Sequence, residues 1–128
     1  MKPVSNRIEF VRGDTYYISR YFLDEDGNNL TINVNTDEVI FTMKKDITSE
    51  ALITKKLTEG GITVIDNKYV ITIKPDDTED LDFGKYSYDI EVTIGVEEEI
   101  PFRRTVESGI IRLLKKDYTL HSGGGQNE

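Results

Sequence analysis

The groups in this chain equipped for acid–base or metal chemistry are twenty-four acidic side chains and a single histidine, His121. The acids crowd in two stretches. Asp24-Glu25-Asp26-Gly27-Asn28-Asn29 has the composition of a calcium loop. An EF-hand, however, needs glycine at its sixth position, a bidentate Glu at its twelfth, and flanking helices. Gly27 comes too early, so the stretch reads as a turn, with a weak calcium site as the lesser alternative. The run from Asp76 to Asp82 could also offer carboxylates to a hard cation, although capping of a short helical turn accounts for it. Glycosidase chemistry needs two carboxylates held in one cleft, and nothing in the spacing selects a pair.

One histidine cannot build a triad or a multi-histidine zinc site. The absence of cysteine removes thiolate catalysis, thiolate metal ligation and disulfides together. Ser108-Gly109 lacks the preceding glycine and the helix of a nucleophile elbow, and reads as strand or bulge. Gly60-Gly61 is too short to cradle phosphate, with no GK[ST] after it. Arg12-Gly13-Asp14 and Asn29-Leu30-Thr31 match an integrin tripeptide and a glycosylation acceptor, short motifs that recur by chance. No catalytic, cofactor-binding or metal residue is assigned, and the chain is expected to be non-enzymatic without a cofactor. Tyr16, Tyr17, Tyr21 and Tyr118 could stack on sugar rings, but strand packing explains the first three equally well.

The 128 residues, 37% hydrophobic and 31% charged, suit one ordinary domain. A net charge of -8 repels phosphate backbones, so nucleic-acid binding is not expected. The basic residues of Arg112 to Lys116, with Arg103 and Arg104, read as solvated strand ends. No apolar run is long enough to span a membrane, and MKPVSNRIEF lacks a signal-peptide core. Synthesis in the cytoplasm and no membrane partner are expected.

What must position these residues is a set of strands. Period-two alternation and regular turn signals predict strands over 8–11, 15–23, 30–34, 38–45, 51–57, 62–65, 68–74, the region of Tyr86 to Ile94, and 102–115. Asp66-Asn67 fits a two-residue hairpin turn, since both residues tolerate positive φ. Pro75 to Leu81 reads as a single helical turn capped by Asp76 or Asp77 and ended by Gly84. Broken alternation after Val106 places a bulge at Gly109. The expected core sets Tyr86, Tyr88, Ile90 and Val92 against Val39, Phe41, Met43, Ile71 and Ile73. The fold class is therefore all-β. Residues 121–128, with their glycine-rich SGGGQNE run, have little to bury and read as a flexible tail.

Asp82-x-Gly84-x-Tyr86 resembles the approach to the F strand in immunoglobulin-type sandwiches, where a corner tyrosine lies two residues before the usual cysteine, here Tyr88. The resemblance implies a single immunoglobulin-like antiparallel sandwich over residues 1–120, with one short helical turn before strand F and Tyr86 hydrogen-bonded to backbone near Asp82. The cysteine pair and the strand-C tryptophan are missing, so the likeness is to the architecture.

A wider pattern runs through Phe10-Val11-Arg12-Gly13-Asp14-Thr15, Val39-Ile40-Phe41-Thr42-Met43-Lys44-Lys45, Ile71-Thr72-Ile73-Lys74-Pro75-Asp76-Asp77-Thr78, Leu81-x-x-Gly84-x-Tyr86-x-Tyr88-Asp89-Ile90 and Ser108-Gly109-Ile110-Ile111. It resembles the immunoglobulin-like N-terminal domain of upper baseplate proteins of tailed bacteriophages. That resemblance implies a structural module of a virion, in a tail or baseplate, docking to other virion proteins or to copies of itself as a homo-oligomer. A capsid decoration or head-fibre anchoring protein is the alternative of the same class. A carbohydrate-binding module is the alternative of another.

Overall fold

Strict alternation becomes strand, and interruptions become turns. The computed structural model describes residues 4–115. In chain order it gives β1 (Val4–Val11), β2 (Tyr16–Arg20), β3 (Glu38–Lys44), β4 (Ala51–Lys56), β5 (Ile62–Ile65), β6 (Lys68–Ile73), α1 (Pro75–Thr78), β7 (Gly84–Ile94) and β8 (Phe102–Leu114). The tail at 121–128, with His121, and Tyr118 lie outside the described residues.

The strands form two sheets, β1-β8-β7-β3-β4 and β2-β6-β5. In the lettering of immunoglobulin sandwiches these are G-F-C-C′ with β1 beside G, facing B-E-D. The fold is thus an all-β sandwich with one short helix. All but one of the pairings are antiparallel. The exception is β1, which runs parallel to β8 from Val4↔Glu107 to Val11↔Leu114, so the larger sheet is mixed where an antiparallel one was expected.

Side chains of both sheets close over one interior. Val39, Phe41, Met43, Ile71, Ile73, Tyr86, Tyr88, Ile90 and Val92 are all buried, as the alternation predicted. Ile8, Phe10, Ile18 and Tyr69 join them. Phe10 stacks on Tyr16 with ring centroids 4.5 Å apart, which turns Tyr16 inward. Tyr86 donates its hydroxyl to the Asp82 carbonyl at 2.7 Å, the corner expected from its place before the F-strand cysteine position.

Four local readings change. Residues 30–34 form no strand: Leu30 is buried in a loop, its amide donating to the Phe22 carbonyl at 2.7 Å and its carbonyl accepting the Tyr69 hydroxyl at 2.7 Å. In α1 the N-cap is Lys74, and Asp77 sits three residues on, accepting the Lys74 amide at 2.7 Å. Gly84, at φ 125°, opens β7 instead of ending the helix. The β8 bulge falls earlier than Gly109: Ile90 faces Glu107 and Glu91 faces Thr105, which leaves Val106 unopposed. Gly109 has a different task. A β-carbon there would lie 1.9 Å from the Asn6 carbonyl oxygen, so the close approach of β1 to β8 requires glycine. The Asp66-Asn67 turn forms as expected, at φ 50° and 66°.

Candidate functional site

The bulge has a chemical consequence. With Val106 taking the extra place, both Val106 and Glu107 are buried, and the Glu107 carboxylate is aimed into the interior at 2% exposure. Arg20, at the end of β2 in the opposite sheet, donates from Nε to Glu107 Oε1 at 2.8 Å. Tyr88, on β7, donates to Glu107 Oε2 at 2.5 Å. Where antibody domains join their sheets by a disulfide from this same F-strand position, a charge-assisted triad does so here. Burial pushes the Tyr88 hydroxyl well above its ordinary value, and the hydrogen bond to and negative charge of Glu107 push it further. Desolvation works against the charge on Arg20, but hydrogen bonding to Glu107 and its charge outweigh it and hold the guanidinium above its usual range. Bonded from Arg20 in one sheet to Glu107 and Tyr88 in the other, the triad has the geometry of a clasp.

Asp37 is a second buried acid. It accepts from the Asn33 amide at 2.9 Å, the Gly95 amide at 3.0 Å and the Thr36 hydroxyl at 3.1 Å. Burial alone would raise its pKa; the three donors outweigh that and hold the carboxyl below its ordinary value. These bonds pin the segment before β3 to the turn after β7.

The other acids serve the chain itself. Asp24 Oδ1 accepts the amides of Asp26 at 2.9 Å and Asn28 at 3.0 Å, an Asx-type turn with Gly27 at φ 85°. Asp77 also pairs with Lys55 at 2.7 Å. Among the described residues no three acids or histidines converge as metal ligands. Arg12-Gly13-Asp14 is tied down: the Gly13 amide bonds to the buried Thr78 hydroxyl at 2.8 Å, and Arg12 donates to the Leu81 carbonyl at 3.0 Å while lying over Phe83. The arginines of the basic cluster are dispersed, Arg103 beside Glu91 at 3.5 Å, Arg104 beside Glu25 at 3.8 Å and Arg112 beside Glu9 at 3.8 Å.

The outer faces of the two sheets differ in kind. On β2-β6-β5 the outward rows hold Tyr17 against Thr72, Ser19 against Val70 and Thr63, and Ile65 against Lys68 at the hairpin end. Lys68 is the one charge among them. Tyr17 is 61% exposed, and Tyr21, just beyond β2, is 59% exposed. Of the three described tyrosines singled out in the sequence, then, Tyr17 and Tyr21 are presented to solvent and Tyr16 is half-buried against the core. The outer face of the five-stranded sheet carries acids and bases in alternation, Glu9 beside Arg112 and Glu91 beside Arg103. Neither the family models nor the curated proteins searched match the chain.

Proposed function

We propose that this protein is a non-enzymatic structural component of a tailed-bacteriophage virion, a tail or baseplate adaptor or attachment module that acts through protein–protein contacts. The sequence likeness to upper baseplate domains supports the setting. The observation that carries the contact role is the nearly uncharged outer face of β2-β6-β5, with Tyr17, Tyr21 and Ile65 exposed on a chain of net charge -8. On a chain of net charge -8 this face, with Lys68 as the one charge in its rows, can meet its own copy with little like-charge apposition, so the occupant assigned to it is a second copy in a symmetric pair. Three strands about 4.8 Å apart and five residues at about 3.4 Å cover on the order of 240 Å², against roughly 800 Å² per partner in a stable complex. A single contact is therefore weak, and many together hold in a particle through avidity.

Sedimentation over a range of concentrations tests this. Weak, concentration-dependent self-association is expected, and Tyr17→Lys should abolish it. A chain that stays monomeric at all concentrations and is absent from purified phage particles would rule the reading out.

A second reading, a carbohydrate-binding module, has one specific observation in its favour. Tyr17 on β2 and Tyr21 just beyond it are both presented to solvent, four residues apart in the chain. Oligosaccharide binding lost on Tyr17→Ala would favour it over self-association.

A further inference from the structure

The opposite face holds a trough of about 370 Å³ running across β3, β7 and β8. Its floor is built in two rows fixed by register. Thr42, Asp89 and Ser108 stand side by side in one row, and Lys44, Ser87 and Ile110 in the next. Ile47, in the turn between β3 and β4 and 82% exposed, adds an apolar side chain to the lining beside Ile110.

Asp89 is the anomaly on this face. Other acids of this sheet have partners: Glu91 pairs with Arg103, Glu9 with Arg112, and Glu38 is held by the Thr58 hydroxyl and amide. Among the described residues Asp89 has neither a salt bridge nor a hydrogen bond, although it is half-buried. Burial raises its pKa and the charge of Lys44, in the adjoining row, lowers it only in part. A partly desolvated carboxylate without a protein partner, its oxygens still open to the trough, is favourably placed to take an incoming cation.

We propose that this trough receives an arginine side chain presented by a partner protein, with the Asp89 carboxylate as its counter-ion. The shape selects guanidinium over ammonium. A guanidinium offers five N–H donors in a planar fork, and here the carboxylate is flanked at the strand spacing of about 4.8 Å by two further acceptors, the hydroxyls of Thr42 and Ser108. Ile47 and Ile110, both in the lining, give the aliphatic stem apolar surface to lie along. Lys44 competes from within the chain for the same carboxylate. The net charge of -8 draws a basic partner toward the protein. This site is independent of the face assigned to self-association.

The test is a titration of the full chain with Nα-acetyl-arginine amide, followed by amide chemical shifts. Saturable shifts confined to the trough, at Ser87, Asp89 and Ser108, are expected. Asp89→Asn should weaken binding by about tenfold or more, consistent with loss of a charge-assisted pair. Lys44→Met, which keeps the stem and removes the competing charge, should tighten it. Unchanged spectra outside the trough identify both variants as folded. Shifts of equal size with the neutral citrulline analogue, equal affinity for the lysine analogue, indifference to Asp89→Asn, or no saturable shift would each overturn the assignment.

Discussion

Two parts of the interior hold the same pair of sheets together by different physics. At the waist, Phe41, Ile90, Ile71 and Ile73 meet as hydrocarbon, where contact is non-directional and indifferent to pH. At the end of β2, Arg20, Glu107 and Tyr88 meet as a directional triad whose worth depends on every member being present. The apolar waist supplies stability. The triad adds less net stability than its bonds suggest, since three polar groups were taken out of water to form it, but it penalises any sliding of one sheet over the other. A sandwich without cysteine thus acquires at this position some of the registry a disulfide would give.

The difference can be broken apart by substitution. Phe41→Ala, at the waist, should destabilise by about 3–5 kcal/mol in chemical denaturation, with no change in pH dependence. Arg20→Met strands the buried Glu107 carboxylate and should cost about 3 kcal/mol, near the lower end for a broken buried pair because Arg20 is partly exposed. Replacing the whole triad by Met, Leu and Phe at 20, 107 and 88 should recover most of that loss. If it does not, the triad is a larger source of stability than the waist comparison allows.

Tyr88→Phe alone should cost about 1.5–3 kcal/mol, the range for a hydrogen bond to a charged group. It also sharpens the comparison through pH. Because the folded-state pKa of Tyr88 is raised, its contribution is fully present below the unfolded value near 10 and is lost as pH rises through the folded value. Alkaline unfolding titrations should therefore be shallower in Tyr88→Phe. Some slope persists from Tyr69 and Tyr86, which burial also raises. The smallest effect belongs to the outer surface, where Glu91→Ala should change stability by less than about 0.5 kcal/mol despite the Arg103 pairing at 3.5 Å.

What the sequence made legible was whatever alternation encodes. The inner faces of β3, β6 and β7, the Asp66-Asn67 turn and the Tyr86 corner follow from local pattern. The triad did not, because its members lie on three strands and Glu107 looks like any surface acid until the Val106 bulge turns it inward. Its one signal was two residues, Val106 and Glu107, at which alternation fails. Residues 30–34 misled for a related reason. Their apolar spacing is strand-like, but the Tyr69 hydroxyl claims the Leu30 carbonyl. The trough around Asp89 was hidden because a row across β3, β7 and β8 exists only once the register does. Charge uniformity was legible in total and illegible in distribution: the net charge gave no sign that one face would be almost neutral.

Pairing of β1 with β8 joins the first strand of the sandwich to its last. Closing so wide a loop delays formation of the contact relative to the local hairpins, as for other non-local pairings. During synthesis Ile8 and Phe10 leave the ribosome with no sheet to lie on, and they must wait until Ile111 and Leu113 have emerged. Of the sandwich's described strands, β1 leaves the ribosome before the rest and is among the last to find its place, and in that interval its apolar residues are open to any other half-built copy nearby.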